Sequence, residues 1–393
     1  MQLFRTALKE AAWAFLFSRL AIVLVSYIGI ILIPQFGFGR PLDCTQGIQT
    51  CIFAWYHWDA IAYTSIAHQG YSFTPQVAFF PLWPLLMRYG GLLLGGVYPL
   101  SYYLTGLLLA NIFFFFTLVL LYCLLTEDFE PSLARRALFY LSFYPYALFF
   151  FVGYSESLFV LLCVAVFLLL RRGKAPDWWC AGALGFLATL TRSSGVLLAI
   201  PFLVMYIQHF WLPGKRDQSS VLQKLNALVP VLLIPAALLA YMAYLGYTKG
   251  NPLLLQSEEV SYWHRHFALL WDTFDLAARN ILLGSLFSFD ELKNIVDMAF
   301  TLLPILALVL GWKRLPLHYS LFALAIMLFS LSFPLGTENP LASQPRYMMT
   351  AFPILVIFAL WGKRTRFDQA YVAVAIALLA VNTILFITHY WVA

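Results

Sequence analysis

Apolar runs separated by short polar breaks occupy almost the whole chain. A helix needs roughly 20 apolar residues to cross a bilayer, and on that measure the pattern predicts about eleven spans. They fall near 12–33, 101–125, 137–153, 157–170, 178–193, 196–211, 225–247, 295–312, 317–335, 347–362 and 370–391. The segment 76–96 is equally apolar but is interrupted by Pro81, Pro84, Gly90, Gly91, Gly95 and Gly96, so it reads as re-entrant or interfacial. Two connections are long, 34–77 and 248–294. The expectation is an all-α polytopic membrane protein built as one integral domain over 1–393. Its first loop and re-entrant segment cover 34–100, and its second long loop covers 248–294.

Composition agrees with the pattern. The 393 residues are 62% hydrophobic and 11% charged, against roughly 25% charged in soluble domains. The formal charge of +6 raises nucleic acid as a partner, but the cations sit in short clusters at the ends of apolar runs, such as Arg135-Arg136, Arg171-Arg172, Lys313-Arg314 and Lys363-Arg364. That arrangement excludes a nucleic-acid surface and marks cytoplasmic loops. The acids, among them Asp43, Asp59, Glu156, Glu258, Glu259, Asp272, Asp275, Asp297 and Glu338, fall on the opposite set of loops. The N-terminus is therefore expected in the cytoplasm and the chemistry on the extracytoplasmic face, where the long loops lie. Met1 to Lys9 reads as a short basic lead into the first span, with no cleavable signal pattern. Cys123, Cys163 and Cys180 lie in apolar runs as small core residues, whereas Cys44 and Cys51 share the first loop. A disulfide between those two and a pair of free thiols are both compatible with the spacing.

The candidate chemistry starts at His57-Trp58-Asp59. On a helix beginning near Trp58, Asp59 shares a face with Ala62, Tyr63 and Ile66. An acid among rings at a membrane edge can act as a base, and it can equally be a helix N-cap. His57 and His68 are eleven positions apart and would share a helical face, but a metal site needs a third ligand and Asp59 is on the wrong side of that face, so no metal is expected. The second constellation is Tyr144-Pro145-Tyr146, where Pro145 should break or kink its span, followed by Tyr154-Ser155-Glu156-Ser157, with Glu156 in a tight turn where it either caps a helix or meets a cation. The third is Thr189-Leu190-Thr191-Arg192-Ser193-Ser194-Gly195, where Arg192 interrupts two apolar runs. An arginine there suits a phosphate or a salt bridge to an acid. The fourth is Gln344-Pro345-Arg346-Tyr347, with Arg346 open to a phosphate or sugar role or to ordinary headgroup contact. Arg88 is a weaker cation of the same kind. His264 and His266 flank Arg265 without suggesting ligands.

Taken in order, several motifs resemble the PIG-V family of membrane mannosyltransferases and its prokaryotic relatives. They are Trp58-Asp59, Ile66-Ala67, Gly70-Tyr71, Phe79-Phe80-Pro81-Leu82-Trp83-Pro84, Phe143-Tyr144-Pro145, Tyr154-Ser155-Glu156-Ser157-Leu158-Phe159, the 187–195 stretch and Pro345-Arg346-Tyr347. The resemblance is dense over 50–210 and sparse in the last third, and the 248–294 loop matches none of its motifs. It implies a GT-C type glycosyltransferase that takes a mannosyl or other hexosyl unit from a polyprenyl- or dolichyl-phosphate sugar. Transfer would go, with inversion, to a glycolipid or related acceptor on the extracytoplasmic or lumenal side. Asp59 matches the family's essential acid. Arg192 and Arg346 would hold the phosphate, Glu156 would orient an arginine or bind sugar hydroxyls, and Trp58, Tyr63 and Tyr154 would stack on the substrate. The donor is a substrate, so no cofactor is implied, and no divalent metal is expected. The family's GPI enzyme works with a second membrane protein, which makes such a subunit a candidate partner. The membrane would be the plasma membrane in a prokaryote and the endoplasmic reticulum in a eukaryote. A transporter or flippase of lipid-linked sugars is the rival reading, and it would favour internal repeats that the sequence does not display.

Overall fold

The computed structural model describes residues 2–32, 51–211, 220–285 and 287–392. These are helical almost throughout, and among the described residues the only β pairing is an isolated bridge between Arg265 and Leu335. The all-α polytopic expectation holds: six helices are long and apolar enough to cross a membrane, and Leu317–Leu331 is a shorter apolar one. Two predicted runs are divided. In 137–153 the helix Pro131–Ser142 stops and a 3-10 turn, Ala147–Phe150, follows. In 347–362 the chain forms Gln344–Thr350 and then Pro353–Trp361. Pro145 and Pro353 lack the N–H that a continuous ladder needs, so each run is a helix, a turn and a second element.

The chain folds as two compact units. The first comprises Met1–Ser72, Trp83–Leu161 and Phe358–Ala393. In it the helix Gln2–Leu32 packs on Leu100–Asp128 and on Thr365–Ile387. Arg19, midway along the first of these, is 7% exposed, and its guanidinium lies over the rings of Phe15 and Phe114 at 5.2 and 4.2 Å. One of its amino groups donates to the carbonyl of Phe150 at 3.4 Å. At the end carrying the basic cluster, Arg136 pairs with Asp368 at 3.3 Å and the Tyr140 hydroxyl donates to the same carboxylate at 2.6 Å.

The second unit comprises Phe73–Leu82 and Leu162–Ile357. Helix Ala175–Thr191 packs on Leu233–Lys249, and Leu317–Leu331 packs on Ala199–Phe210. The long loop predicted over 248–294 is itself helical, with Leu254–Ser261 and Leu270–Leu283 joined by an extended stretch. That stretch is pinned along another part of the chain: the Ala268 amide donates to the Ser332 carbonyl at 3.0 Å and the Gly336 amide to the His264 carbonyl at 3.2 Å.

Candidate functional site

In the first unit, helix Asp59–Gln69 begins one residue earlier than a capping aspartate requires. Trp58 occupies the N-cap position, and Asp59 stands in the first turn. Trp58 has φ 53° and ψ −118°. A left-handed backbone costs a non-glycine residue about 1–3 kcal/mol and persists only where the surroundings impose it. The surroundings here are visible. The His57 carbonyl accepts from the Ala60 amide at 3.1 Å and from the Tyr154 hydroxyl at 3.0 Å. One turn further on, the hydroxyls of Tyr63 and Ser155 lie 2.9 Å apart. Two hydrogen bonds thus join the Asp59 motif to the Tyr154-Ser155-Glu156 motif, which the sequence separates by almost a hundred positions. Asp59 itself is half-buried, and Glu156 is fully buried in the first turn of Glu156–Arg172. The turn before Glu156 depends on Gly153, whose φ is 81° and whose carbonyl accepts from the Trp83 indole at 3.0 Å. A side chain there would crowd Tyr103 and the 106–107 backbone. The structure therefore groups Trp58, Asp59, Tyr63, Tyr154 and Glu156 in one unit.

Arg88 lies in the same unit with a defined task. Its Nη1 donates to the carbonyls of Ala67 and His68, each at 3.0 Å, closing the last turn of the Asp59 helix. A cation is favoured at that end of a helix. His57 and His68 do not share a helical face, because the helix starts after His57. His57 packs on His389 with ring centroids 3.8 Å apart, and His68 stacks on Tyr98 at 4.7 Å. Burial, and next the neighbouring His389, push the His57 imidazole down to about 4. Cys51 is held in a disulfide, and Cys44 lies outside the described residues.

In the second unit two arginines face one ring, and a third lies close to one of them. The guanidinium of Arg192 lies 5.6 Å from the centre of the Tyr347 ring and that of Arg265 lies 5.8 Å from it. Arg346, 6% exposed, is close enough to Arg265 to push against its charge. Glu259 pairs with Arg265 at 3.7 Å. Burial works against the charge on Arg265, but Tyr347 and Glu259 outweigh it and hold the group protonated. Burial also raises the Glu259 carboxyl, with Arg265 pulling the other way. Arg192 reaches this position from an extended junction, φ −153°, between Ala175–Thr191 and the 3-10 turn Ser193–Leu198. Gly195 lets that turn lie directly on the backbone of Ala188 and Thr189. Arg346 follows Ser343, left-handed at φ 68°, and Arg265 follows His264, left-handed at φ 53°.

Arg265 is the residue that sequence reasoning missed. Its placement comes from distant partners: the Trp263 indole donates to the Pro75 carbonyl at 3.2 Å, and Arg265 itself bridges to Leu335. The aromatic pair Tyr262-Trp263 was the local mark that this part of the loop docks.

The sequence model of the family described as Mannosyltransferase (PIG-V) matches residues 39–309. The chain belongs to the PIG-V mannosyltransferase family. Among its relatives, GPI mannosyltransferase 2 of Schizosaccharomyces pombe is 28% identical over 248 residues, covering 57% of this chain and 50% of that protein. Human GPI alpha-1,6-mannosyltransferase 2 is 33% identical over 202 residues, covering 48% of this chain and 40% of the relative. The chain thus spans half or less of the length of these PIG-V relatives. Among solved structures, the apo oligosaccharyltransferase of Archaeoglobus fulgidus matches 97% of this chain and 56% of its own at 14% identity, with a TM-score of 0.43, a likeness too slight to argue from. The stretch matched by the PIG-V model contains Asp59, Glu156, Arg192 and Arg265 but stops short of Arg346 and Tyr347.

Proposed function

We propose that this protein is an inverting mannosyltransferase of the GT-C type. It moves a mannosyl unit from a polyprenyl-phosphate sugar to a glycolipid acceptor on the extracytoplasmic face of its membrane. The observation that carries the reading is the Asp59 motif: an acid at the start of a short helix, behind a strained tryptophan, hydrogen-bonded through its neighbours to the buried Glu156 turn in a PIG-V chain.

The Asp59 carboxylate takes the proton of an acceptor hydroxyl as that oxygen attacks the anomeric carbon. The bond from that carbon to the donor phosphate breaks on the opposite face, so a β-linked donor gives an α-linked product. The leaving group departs as a lipid phosphate that needs no protonation, which makes the second carboxylic acid of a glycosidase unnecessary. What it needs is fixed positive charge where the phosphate charge grows. Arg192, Arg265 and Arg346 are assigned that role, and it requires no metal. Glu156 binds sugar hydroxyls or orients its neighbours, and Trp58, Tyr63 and Tyr154 supply ring faces for the sugar. The acceptor is a membrane glycolipid, as the GPI enzymes among the relatives suggest, and a second membrane subunit is compatible with the reading.

The test is transfer from a short-chain polyprenyl-phosphate mannose to a mixed glycolipid extract by purified protein, wild type beside Asp59→Asn. Wild type is expected to label a glycolipid, with or without EDTA, and the variant to lose about 10²–10⁴-fold in kcat. A folded Asp59→Asn protein with full activity overturns the base assignment. Solute movement into vesicles without any sugar transfer supports the transporter reading instead.

A further inference from the structure

The left-handed conformation of Trp58 calls for a cause beyond its hydrogen bonds, and the described contacts supply one from the far end of the sequence. Helix Thr365–Ile387 is tied to the Pro145 turn, whose carbonyl accepts from Asn382 at 2.9 Å. Its Phe386 packs on His57 at 5.7 Å and on Tyr154 at 6.2 Å. The chain then turns through His389, itself left-handed at φ 69°. That turn sets the His389 ring 3.8 Å from the His57 ring and Trp391 edge-on to Trp58 at 5.0 Å and 90°. His57 and Trp58 are the two residues whose carbonyls cap the Asp59 helix: Ala60 donates to His57, and Ile61 donates to Trp58 at 3.0 Å. His57 is 6% exposed; the backbone of Ala54 and Tyr56 hydrogen-bonds one side of its ring, while its Nε2 has no hydrogen-bond partner among the described residues, so on that side ring contact does the holding.

We propose that His389 and Trp391 are positioning residues for the transferase reaction. Their rings clamp His57 and Trp58, hold Trp58 left-handed and so aim the Asp59 carboxylate. Both lie beyond the stretch that the PIG-V family model matches. Without it Trp58 relaxes toward an ordinary conformation, the first turn of the helix loosens and Asp59 swings out of register. Misplacement of a reacting group by about 1 Å costs on the order of 100-fold in rate.

The proposal rests on the transferase reading, so the test carries one readout that needs activity and one that does not. The proteins are the full chain in three forms: wild type, His389→Ala/Trp391→Ala and His389→Phe/Trp391→Phe. In sugar transfer, the alanine form is expected to lose about 10–100-fold in kcat with its donor KM within about twofold of wild type. The phenylalanine form is expected to recover to within about threefold, because rings at both places restore the stack. In hydrogen exchange, the amides of residues 60–62 are expected to lose protection in the alanine form and regain it in the phenylalanine form, whether or not sugar is transferred. A wild type that moves no sugar sinks the transferase reading and leaves the exchange result to judge the clamp. Unchanged protection at 60–62 in the alanine form overturns the clamp, as does an active wild type with an equally active alanine form. A phenylalanine form as impaired as the alanine form also overturns it, since stacking would not be the cause. If the double alanine form does not fold, Trp391→Leu, which keeps apolar volume and removes the ring, is read by the same two measurements.

Discussion

The two units present opposite solutions to holding a charge near a membrane. In the first, the helix that carries Asp59 is tied to the motif of a second acid, Glu156, by bonds that its neighbours make: Tyr154 to the His57 carbonyl and Tyr63 with Ser155, with rings packed on His57 and Trp58. In the second, Arg192 and Arg265 both face the Tyr347 ring, and Arg265 also feels the charges of Arg346 and Glu259. The difference matches the tasks proposed for them. A base must be aimed at one hydroxyl, so rigidity around a single group matters most. A leaving phosphate spreads charge over several oxygens, so several donors serve better than one well-placed donor. Both solutions use the same backbone device, since Trp58, His264 and Ser343 are all left-handed and stand just before Asp59, Arg265 and the Arg346 turn.

Replacements should separate the two, and the largest effect belongs to the acid. Asp59→Asn keeps the shape and removes the base, so kcat should fall by about 10²–10⁴-fold with the donor KM little changed. The arginine cluster should show graded losses. Arg265→Ala should lower kcat/KM by about 10²-fold, and Arg265→Lys should fall between it and wild type, because an ammonium keeps the charge but not the fork. Equal activity for Arg265→Ala and wild type would remove Arg265 from the phosphate role and leave the acid side standing alone.

Acid should weaken the first unit through His57. Its ring is held near 4 in the fold against 6.5 when free, so the unfolded chain takes up a proton that the folded one refuses. Stability from this group is therefore complete above pH 6.5 and is lost progressively as pH falls toward about 4. The other titratable groups against it are His389, itself lowered by burial, and the Tyr154 hydroxyl at its carbonyl. Thermal unfolding in detergent from pH 7 to 4.5 should show the slope, and His57→Phe should flatten it. The smallest effect is expected at Arg88. Arg88→Ala should cost about 1–3 kcal/mol of stability, since two helix-end carbonyls lose a charged donor, with activity following the folded fraction. A loss of donor affinity in fully folded Arg88→Ala protein would give Arg88 a substrate-binding role beside its structural one.

Much of this was legible in the sequence, for reasons that differ by element. Spans were readable because apolar length is a local property, and the break at Pro145 was readable because proline carries its own effect. The joining of the Asp59 and Glu156 motifs could be suspected only from their chemistry, because Tyr63–Ser155 and Tyr154–His57 are long-range pairs. The helix beginning near Trp58 was readable, but the alternative of Asp59 as its N-cap fails, because Trp58 at φ 53° takes that position and tryptophan is not a cap that composition suggests. Arg265 and the His389–Trp391 segment were not legible at all. Their importance comes from what they pack on, and neither carries a motif.

Arg19 has a bearing on how the chain enters its membrane. Its Nε and Nη1 have no hydrogen-bond partner among the described residues, and what shelters the group is Phe15 on its own helix, Phe114 and the carbonyl of Phe150. When the first span leaves the ribosome those last two residues have not been made, and a bare guanidinium at the centre of a lipid-facing helix is disfavoured by roughly 2.5–3.5 kcal/mol. The many apolar residues of Gln2–Leu32 offset that cost, so the span can enter alone, but its guanidinium meets the Phe114 ring and the Phe150 carbonyl only after the polypeptide through residue 150 has been synthesised.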